Sequence, residues 1–124
     1  MKRDVIVGLT ALHLLTCAMV AHGQLATERF IPIGQSPGLS GKTTYIGSIQ
    51  AVDAAARTLT VAAAAGALKV RIADRTSIWV DRSLLRQTNA IGTLADLRSG
   101  RRVEVKWDAK VKDVAEWIKV EAAP

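Results

Sequence analysis

From Thr43 onward, apolar and polar residues alternate with the two-residue period of β-strands. The clearest run is residues 68–72, in which Leu68, Val70 and Ile72 alternate with Lys69 and Arg71. Strands are therefore predicted at residues 43–52, 58–64, 68–72, 101–107 and 114–120. Residues 76–80 are predicted to extend the third strand after a bend at residues 74–75.

The first and fourth strands carry two more specific expectations. A β-bulge near Gln50 would bring Ile49 and Val52 to the same face of the first strand, whose alternation is otherwise imperfect. In the fourth strand, Trp107 is in phase with Val103, so it is expected in the core.

Alanine runs at residues 54–56 and 62–65 support a competing helical interpretation, because alanine is the best helix former. The neighbouring residues Thr58, Thr60 and Val61 are β-branched, and Gly66 interrupts the second run. Strands are therefore the favoured prediction for this stretch.

Between the third and fourth strands, residues 81–92 are polar and predict a long loop with one turn of helix at residues 83–86. A short helix then follows, with Thr93 as its N-cap and Asp96 as a capping-box partner. Leu94 and Leu97 would face the core, and Gly100 would end the helix.

Three strands, a short helix and two strands follow one another in the order typical of one small all-β domain. The predicted fold is a five-stranded OB-like Greek-key barrel with a short helix between strands 3 and 4. Closing the sheet removes its edges, which keeps a small β-domain from pairing with other chains.

The N-terminus has the pattern of a secretory signal. Lys2 and Arg3 precede an almost wholly apolar run of about 16 residues, and residues 21–23 supply small residues for cleavage before Gln24. Because about 20 residues are needed to span a bilayer, residues 1–23 are predicted to be cleaved, leaving no stable membrane span and placing the protein in the periplasm or outside the cell. Retention as an anchor and lipidation at Cys17 stay open as alternatives.

Residues 24–42 are predicted to be a Gly/Pro-rich linker before the barrel domain at residues 43–122. Its frequent helix and strand breakers predict no regular element. Phe30, Ile31 and Ile33 either pack onto the domain or belong to a mobile tether.

Export would remove much of the chemistry available to the protein. Both histidines, the single cysteine and both methionines lie within residues 1–23, at His13, His22, Cys17, Met1 and Met19. The rest of the chain cannot form a disulfide, a Ser-His or Cys-His catalytic pair, or a zinc or copper site built on imidazole or sulfur. We therefore predict a non-enzymatic domain with no catalytic residue, no metal site and no cofactor.

One set of turn and core positions lies within residues 43–121, namely Gly47, Ile49, Val52, Asp53, Arg57, Thr58, Leu59, Val61, Val70, Ile72, Thr76, Ile78, Leu97, Gly100, Val103, Val105, Ala115, Ile118 and Val120. Over these residues the chain resembles a family of bacterial exported OB-like β-barrel domains of unknown function. Because these positions are structural, the resemblance implies the fold and no catalytic residue. A related resemblance is to the small periplasmic copper chaperones of metal-efflux systems, which hold copper with His and Met beside a Trp; the absence of His and Met from residues 24–124 argues against that role here.

Charge and aromatic residues point to a candidate binding surface. Cleavage before Gln24 lowers the formal net charge only from +6 to +5, because Lys2, Arg3 and Asp4 are lost. OB barrels bind ligands across strands 2 and 3 and the adjoining loops. The predicted ligand-binding residues are Lys69, Arg71, Trp79, Arg82, Arg86 and Trp117.

These observations predict an exported binding or accessory module for an anionic ligand, with nucleic acid not an expected partner. The alternative is a structural interaction domain that docks on another cell-envelope protein. In a third interpretation of the same residues, the tryptophans cap the barrel ends and the charges form a solvated face. The oligomeric state and the identity of the ligand are not predicted.

Overall fold

The computed structural model describes residues 27–35 and 44–123, so the predicted signal at residues 1–23 lies outside the described residues. Residues 27–30 form a helical turn, which the breaker-rich composition did not predict. No helix among the described residues has both the length and the apolar character needed to cross a membrane. The strands are β1 (Tyr45–Asp53), β2 (Thr58–Ala63), β3 (Gly66–Arg71), β4 (Ser77–Asp81), β5 (Ala90–Ile91), β6 (Arg102–Trp107) and β7 (Ala115–Glu121), with 3-10 turns at Ser83–Leu85 and Leu94–Asp96.

The strands form one sheet in the order β3-β2-β1-β6-β7-β4-β5. All neighbours are antiparallel except β4 and β7, which are parallel. β3 is the first strand in this order, and the chain continues from it into β4, which lies near the other end of the order. Arg71 at the end of β3 pairs with Val114, just before β7. The sheet therefore closes on itself through a bent third strand, as in an OB barrel.

The predicted all-β, OB-like fold class is confirmed, but the number of strands is seven rather than five. The bend at residues 72–76 divides the predicted third strand into β3 and β4. Thr76 stabilises the bend, because its Oγ1 donates a hydrogen bond to the Ala115 carbonyl (2.7 Å) and accepts one from the Ala73 amide (2.9 Å). The other extra strand is β5, a two-residue strand within the predicted long loop that pairs with Trp79 and Val80.

The core fills the inside of the barrel with the apolar residues of each alternating strand. Because successive side chains point to opposite faces of a strand, one parity of each strand packs inward and the other faces out. Trp107 is partly buried against this core, as its phase predicted. The buried core residues are Ile49, Leu59, Val61, Val70, Ile72, Leu97, Val103, Val105, Ala115, Ile118 and Val120.

The structure confirms the predicted bulge, the strand favoured over a helix and the capping box, but not the length of the predicted short helix. The register of β1 against β2 shifts between Ile49 and Ala51, which is the bulge predicted near Gln50. The second alanine run begins inside β2, so the helical alternative is wrong there. The Thr93–Asp96 capping box is present, but the element is a single 3-10 turn capped by Leu97 and does not extend to Gly100.

Among the described glycines, Gly47 in β1 is the one that leaves least space for a side chain. A Cβ atom at this position would clash with the carbonyl oxygen of Ala62 on β2 and would lie 2.9 Å from Val61 Cγ1. Because both neighbours belong to the packed sheet, neither can move without disturbing its own contacts.

We expect Gly47→Ala to lower the free energy of unfolding by about 1–3 kcal/mol, the usual cost of overpacking. Urea denaturation followed by far-UV circular dichroism measures this change. Ser48→Ala is the matched control, since Ser48 is the exposed neighbour in the same strand. Equal stability of Gly47→Ala and the wild type would show that β1 and β2 do not approach so closely.

Candidate functional site

The barrel wall carries an unusually polar and aromatic surface on the outside of β4, β6 and β7. Here the residues that alternate with the core do not face solvent. In the strand register, Lys119 lies between Trp79 and Glu104, and Lys106 lies opposite Trp117. We call this surface the outer groove and define it by Trp79, Asp81, Glu104, Lys106, Trp117 and Lys119.

Residues 27–35, which we call the strap, cover the outer groove. The strap begins with the helical turn at residues 27–30 and ends in a β-turn, in which the Gln35 amide donates to the Pro32 carbonyl (3.0 Å). Gly34 has a φ of +84°, the left-handed conformation that a type II turn requires at its third position. Of the two alternatives for Phe30, Ile31 and Ile33, the structure therefore supports packing onto the domain, with Ile33 buried.

Lys119 is the fully buried cation at the centre of the groove. Its Nζ donates to the carbonyl oxygen of Ile31 (2.5 Å) and lies 4.8 Å from the ring centroid of Trp117 and 5.9 Å from that of Trp79. Burial lowers the pKa of Lys119, although the negative charges around it, Glu104 first among them, act in the opposite direction.

Two buried carboxylates accept hydrogen bonds from the β-turn of the strap. Asp81 Oδ2 accepts a hydrogen bond from the Ile33 amide (2.8 Å), and its Oδ1 accepts one from Ser83 (2.9 Å). Glu104 accepts from the Gly34 amide (3.2 Å) and from Thr44 Oγ1 (2.5 Å). Burial alone would raise the pKa of Asp81, but the hydrogen bonds to its carboxylate outweigh burial, and the pKa is lowered.

Glu28 anchors the other end of the strap through its side chain. Its carboxylate accepts hydrogen bonds from Lys106 Nζ (2.9 Å) and from the indole Nε1 of Trp117 (3.0 Å). Lys106 also forms an ion pair with Glu116 (3.2 Å). Burial would lower the pKa of Lys106, but its hydrogen bonds to the two glutamates outweigh burial, and the pKa is raised.

The structure brings together one pair of the predicted ligand-binding residues, Trp79 and Trp117, whose ring centroids lie 5.4 Å apart. Both indoles are buried, with relative exposures of 6% and 1%, so with the strap in place they do not form the exposed aromatic platform that the sequence suggested. The cation over both rings is Lys119, which sequence reasoning did not select. Lys119 could have been identified from the sequence because it lies between two apolar core positions. Its side chain points outward, as does that of a glutamate on the neighbouring strand.

The other predicted residues lie in two places. Lys69 and Arg71 project from β3 and are exposed. Arg82 and Arg86 flank the 3-10 turn after β4; the Arg82 Nε donates to the Thr88 carbonyl (2.7 Å), and Arg86 has a left-handed backbone with φ of 56°. Each of these two pairs therefore belongs to its own part of the barrel rather than to the tryptophan pair.

Closure of the barrel adds two lysines to the Lys69–Arg71 surface. The Arg71 amide donates to the Asp113 carbonyl (2.7 Å), and the Arg71 guanidinium donates to the Lys112 carbonyl (2.9 Å). The β6–β7 loop, with exposed Lys110 and Lys112, is thereby held against β3. We call Lys69, Arg71, Lys110 and Lys112 the basic face; sequence reasoning missed the last two because they are distant from β3 along the chain.

Asp108 organises the loop that carries these lysines. Its Oδ1 accepts hydrogen bonds from the amides of Lys110 (2.8 Å) and Val111 (2.9 Å), and Arg75 donates to its Oδ2 (3.0 Å). The two backbone hydrogen bonds, helped by Arg75, lower the pKa of Asp108 to about 2. Asp108 is thus a turn-stabilising residue that keeps the loop in place.

We expect Asp81→Asn to lower the free energy of unfolding at pH 7 by about 1–3 kcal/mol, because the charged acceptor of two amides is lost. The pKa of Asp81 is below its ordinary value of 3.8, so its contribution is complete above that value and is lost as the pH falls through the lower, folded-state pKa. The difference between variant and wild type should therefore shrink in acid. Urea titrations at pH 7 and pH 3 measure it, with the exposed Asp74→Asn as control; a difference of equal size at both pH values would contradict the role of the charged form.

No protein-family model matches the chain, and no curated protein matches it. Among solved structures, the chain is similar to CusF in the crystal structure of its silver(I) form, with a TM-score of 0.43 and 14% sequence identity. The match covers 63% of this chain and 95% of that chain. The OB-like fold described above therefore rests on the strand order and pairing of this chain itself.

Proposed function

We propose that the chain is an exported, non-enzymatic binding module that captures an anionic ligand on the basic face. The observation that carries this proposal is the contact of the β6–β7 loop with β3, through the Arg71 amide and guanidinium. In OB folds, strands 2 and 3, together with the loops between strands 1 and 2 and between strands 4 and 5, form the usual ligand surface. The β6–β7 loop occupies the position of that last loop.

The charges of the basic face support binding of an anion. Within the part of the chain that the structure describes, none of its four cations forms an ion pair with a carboxylate within 4.0 Å. Directly across the β2–β3 pairing, Thr58 lies opposite Arg71 and Thr60 lies opposite Lys69. Hydroxyl groups beside cations suit phosphate, sulfate or carboxylate oxygens, which accept hydrogen bonds from both kinds of donor.

We expect the full-length protein to bind inorganic polyphosphate or an oligogalacturonate, with an affinity that falls as salt rises from 50 to 300 mM, because exposed charges are screened. Lys69→Ala and Arg71→Ala should each weaken binding about fivefold, which corresponds to ~1 kcal/mol. Isothermal titration calorimetry with the two probes measures both effects and separates phosphate from carboxylate preference.

The matched control for these variants is Arg98→Ala, which removes one exposed positive charge from the connection between the second 3-10 turn and β6 instead of from the basic face. It should leave the dissociation constant within about twofold of the wild type. An equal loss of affinity in Arg98→Ala would mean that net charge, and not the basic face, attracts the anion.

Export is proposed from residues 1–23, whose basic start, apolar run and small residues before Gln24 have the pattern of a cleaved signal. We expect the intact mass of the protein recovered from a bacterial periplasm or culture medium to correspond to a chain that begins at Gln24. A mass that retains residues 1–23, or that includes a lipid on Cys17, would contradict cleavage at this site.

A second candidate function is a domain that docks on another cell-envelope protein. Leu84 and Ile91 favour it, because their side chains are 74% and 73% exposed. Ile91 belongs to β5, which pairs with β4 alone among the described residues, and an open strand edge beside apolar residues is a common site of association. Capture of one envelope protein that is insensitive to salt and is lost in Leu84→Ser would favour this function over anion binding.

A further inference from the structure

The strap is held in the outer groove mainly through its backbone. In the groove, the amides of Ile33 and Gly34 donate to the two buried carboxylates, and the Ile31 carbonyl accepts from Lys119. Outside the groove, the Arg29 carbonyl accepts a fourth main-chain hydrogen bond from the Asn89 side chain. Among the described strap residues, Ile33 is the buried apolar side chain, whereas Phe30 is 46% exposed. A segment that is bound in this way can be replaced by another sequence that offers the same backbone shape.

The β-turn of the strap explains which shape the groove selects. The hydrogen bond from the Gln35 amide to the Pro32 carbonyl closes the turn and leaves the amides of its two central residues, Ile33 and Gly34, without a partner inside it. Asp81 and Glu104 accept these two amides. Two carboxylates therefore recognise one turn. Lys119, which lies between them, donates a hydrogen bond to the carbonyl that precedes the turn.

The buried charges of the groove carry a free-energy cost that a permanent part of a core does not need. Burying Asp81, Glu104 and Lys119 removes them from water, and apolar residues of similar volume would serve stability as well or better. The strap also fits imperfectly, because Arg29 Nε is buried without a hydrogen-bond partner among the described residues. Polar contacts with a short, weakly apolar segment are typical of an element that opens locally.

We propose that the outer groove is a binding site for a peptide segment of another protein, and that the strap occupies it until such a segment displaces it. The ligand has an acidic residue for Lys106 and the Trp117 indole, an apolar residue five positions later, and a glycine directly after that in a β-turn. This proposal is independent of anion binding, because it rests on a different surface of the barrel.

The occupant is a separate protein rather than the strap of a second copy. Gly34 and Thr44 both donate to the Glu104 carboxylate and are only ten positions apart in the chain, so the strap has a short covalent link to the barrel. A short tether of this kind gives the strap an effective concentration on the order of millimolar. The strap of a second copy makes the same contacts but lacks this effective concentration. Only a better-matched peptide therefore displaces the attached strap.

The test uses the full-length chain and a fluorescent peptide that has the sequence of residues 27–35. In the wild type, this peptide should not bind below about millimolar concentration, because the attached strap competes with it. In Glu28→Ala, which removes the bonds of the strap to Lys106 and Trp117, fluorescence anisotropy should show binding at least tenfold tighter. The indole Nε1–H resonance of Trp117 should shift when the peptide binds.

Glu116→Ala is the matched control, since it also removes one carboxylate from Lys106 but leaves the strap unchanged. It should resemble the wild type. Absence of peptide binding to a folded Glu28→Ala variant, or equal binding to both variants, would overturn the proposal. A Glu28→Ala variant that dimerises as its concentration rises would identify a second copy as the occupant and would also overturn it.

Hydrogen exchange of the wild type tests the same proposal if Glu28→Ala does not fold. The amides of Ile33 and Gly34 should exchange at least 100-fold faster than those of Val103 and Val105, because the strap opens while the barrel stays folded. Exchange of all four amides at one rate would show that the strap opens only when the protein unfolds, and the proposal would fail.

Discussion

Parallel pairing of β4 with β7 is the contact on which the rest of the structure depends, because it closes the sheet. The third strand leaves β2 at Arg71, bends, and joins β7 at Ser77, which pairs with Trp117. This crossing brings the β6–β7 loop against β3 and sets Trp79 beside Trp117. Both surfaces of interest, the basic face and the outer groove, are therefore products of the same closure.

The two surfaces use charge in opposite ways. On the basic face, the exposed cations are solvated and attract anions at a distance. Salt therefore weakens this attraction. In the outer groove, Asp81, Glu104 and Lys119 are buried, and each of these three charges contacts a defined backbone group of the strap. Such contacts carry directional information and are screened much less by salt. The first surface is suited to attracting a class of ligand, and the second to recognising a shape.

Local patterns predicted most of the barrel because they report local geometry. The alternation of Leu68, Val70 and Ile72, and the bulge at Gln50, follow from which side chains share one face of a strand. The bend that divides the third strand and the pairing of β5 depend on contacts that form only when the sheet closes. For the same reason, no local pattern placed Lys110 or Lys112 beside Arg71.

The burial of Trp79, Trp117 and Lys119 could not be read from their strands, since alternation places them on the outside and a sequence-distant segment covers them. The covering segment explains in turn what a lysine does at position 119. A leucine at this position would pack against the indoles but would leave the Ile31 carbonyl without its donor and Glu104 without a nearby cation. Lys119 therefore gives the groove a hydrogen-bond donor for the strap carbonyl that an apolar residue of similar size would lack.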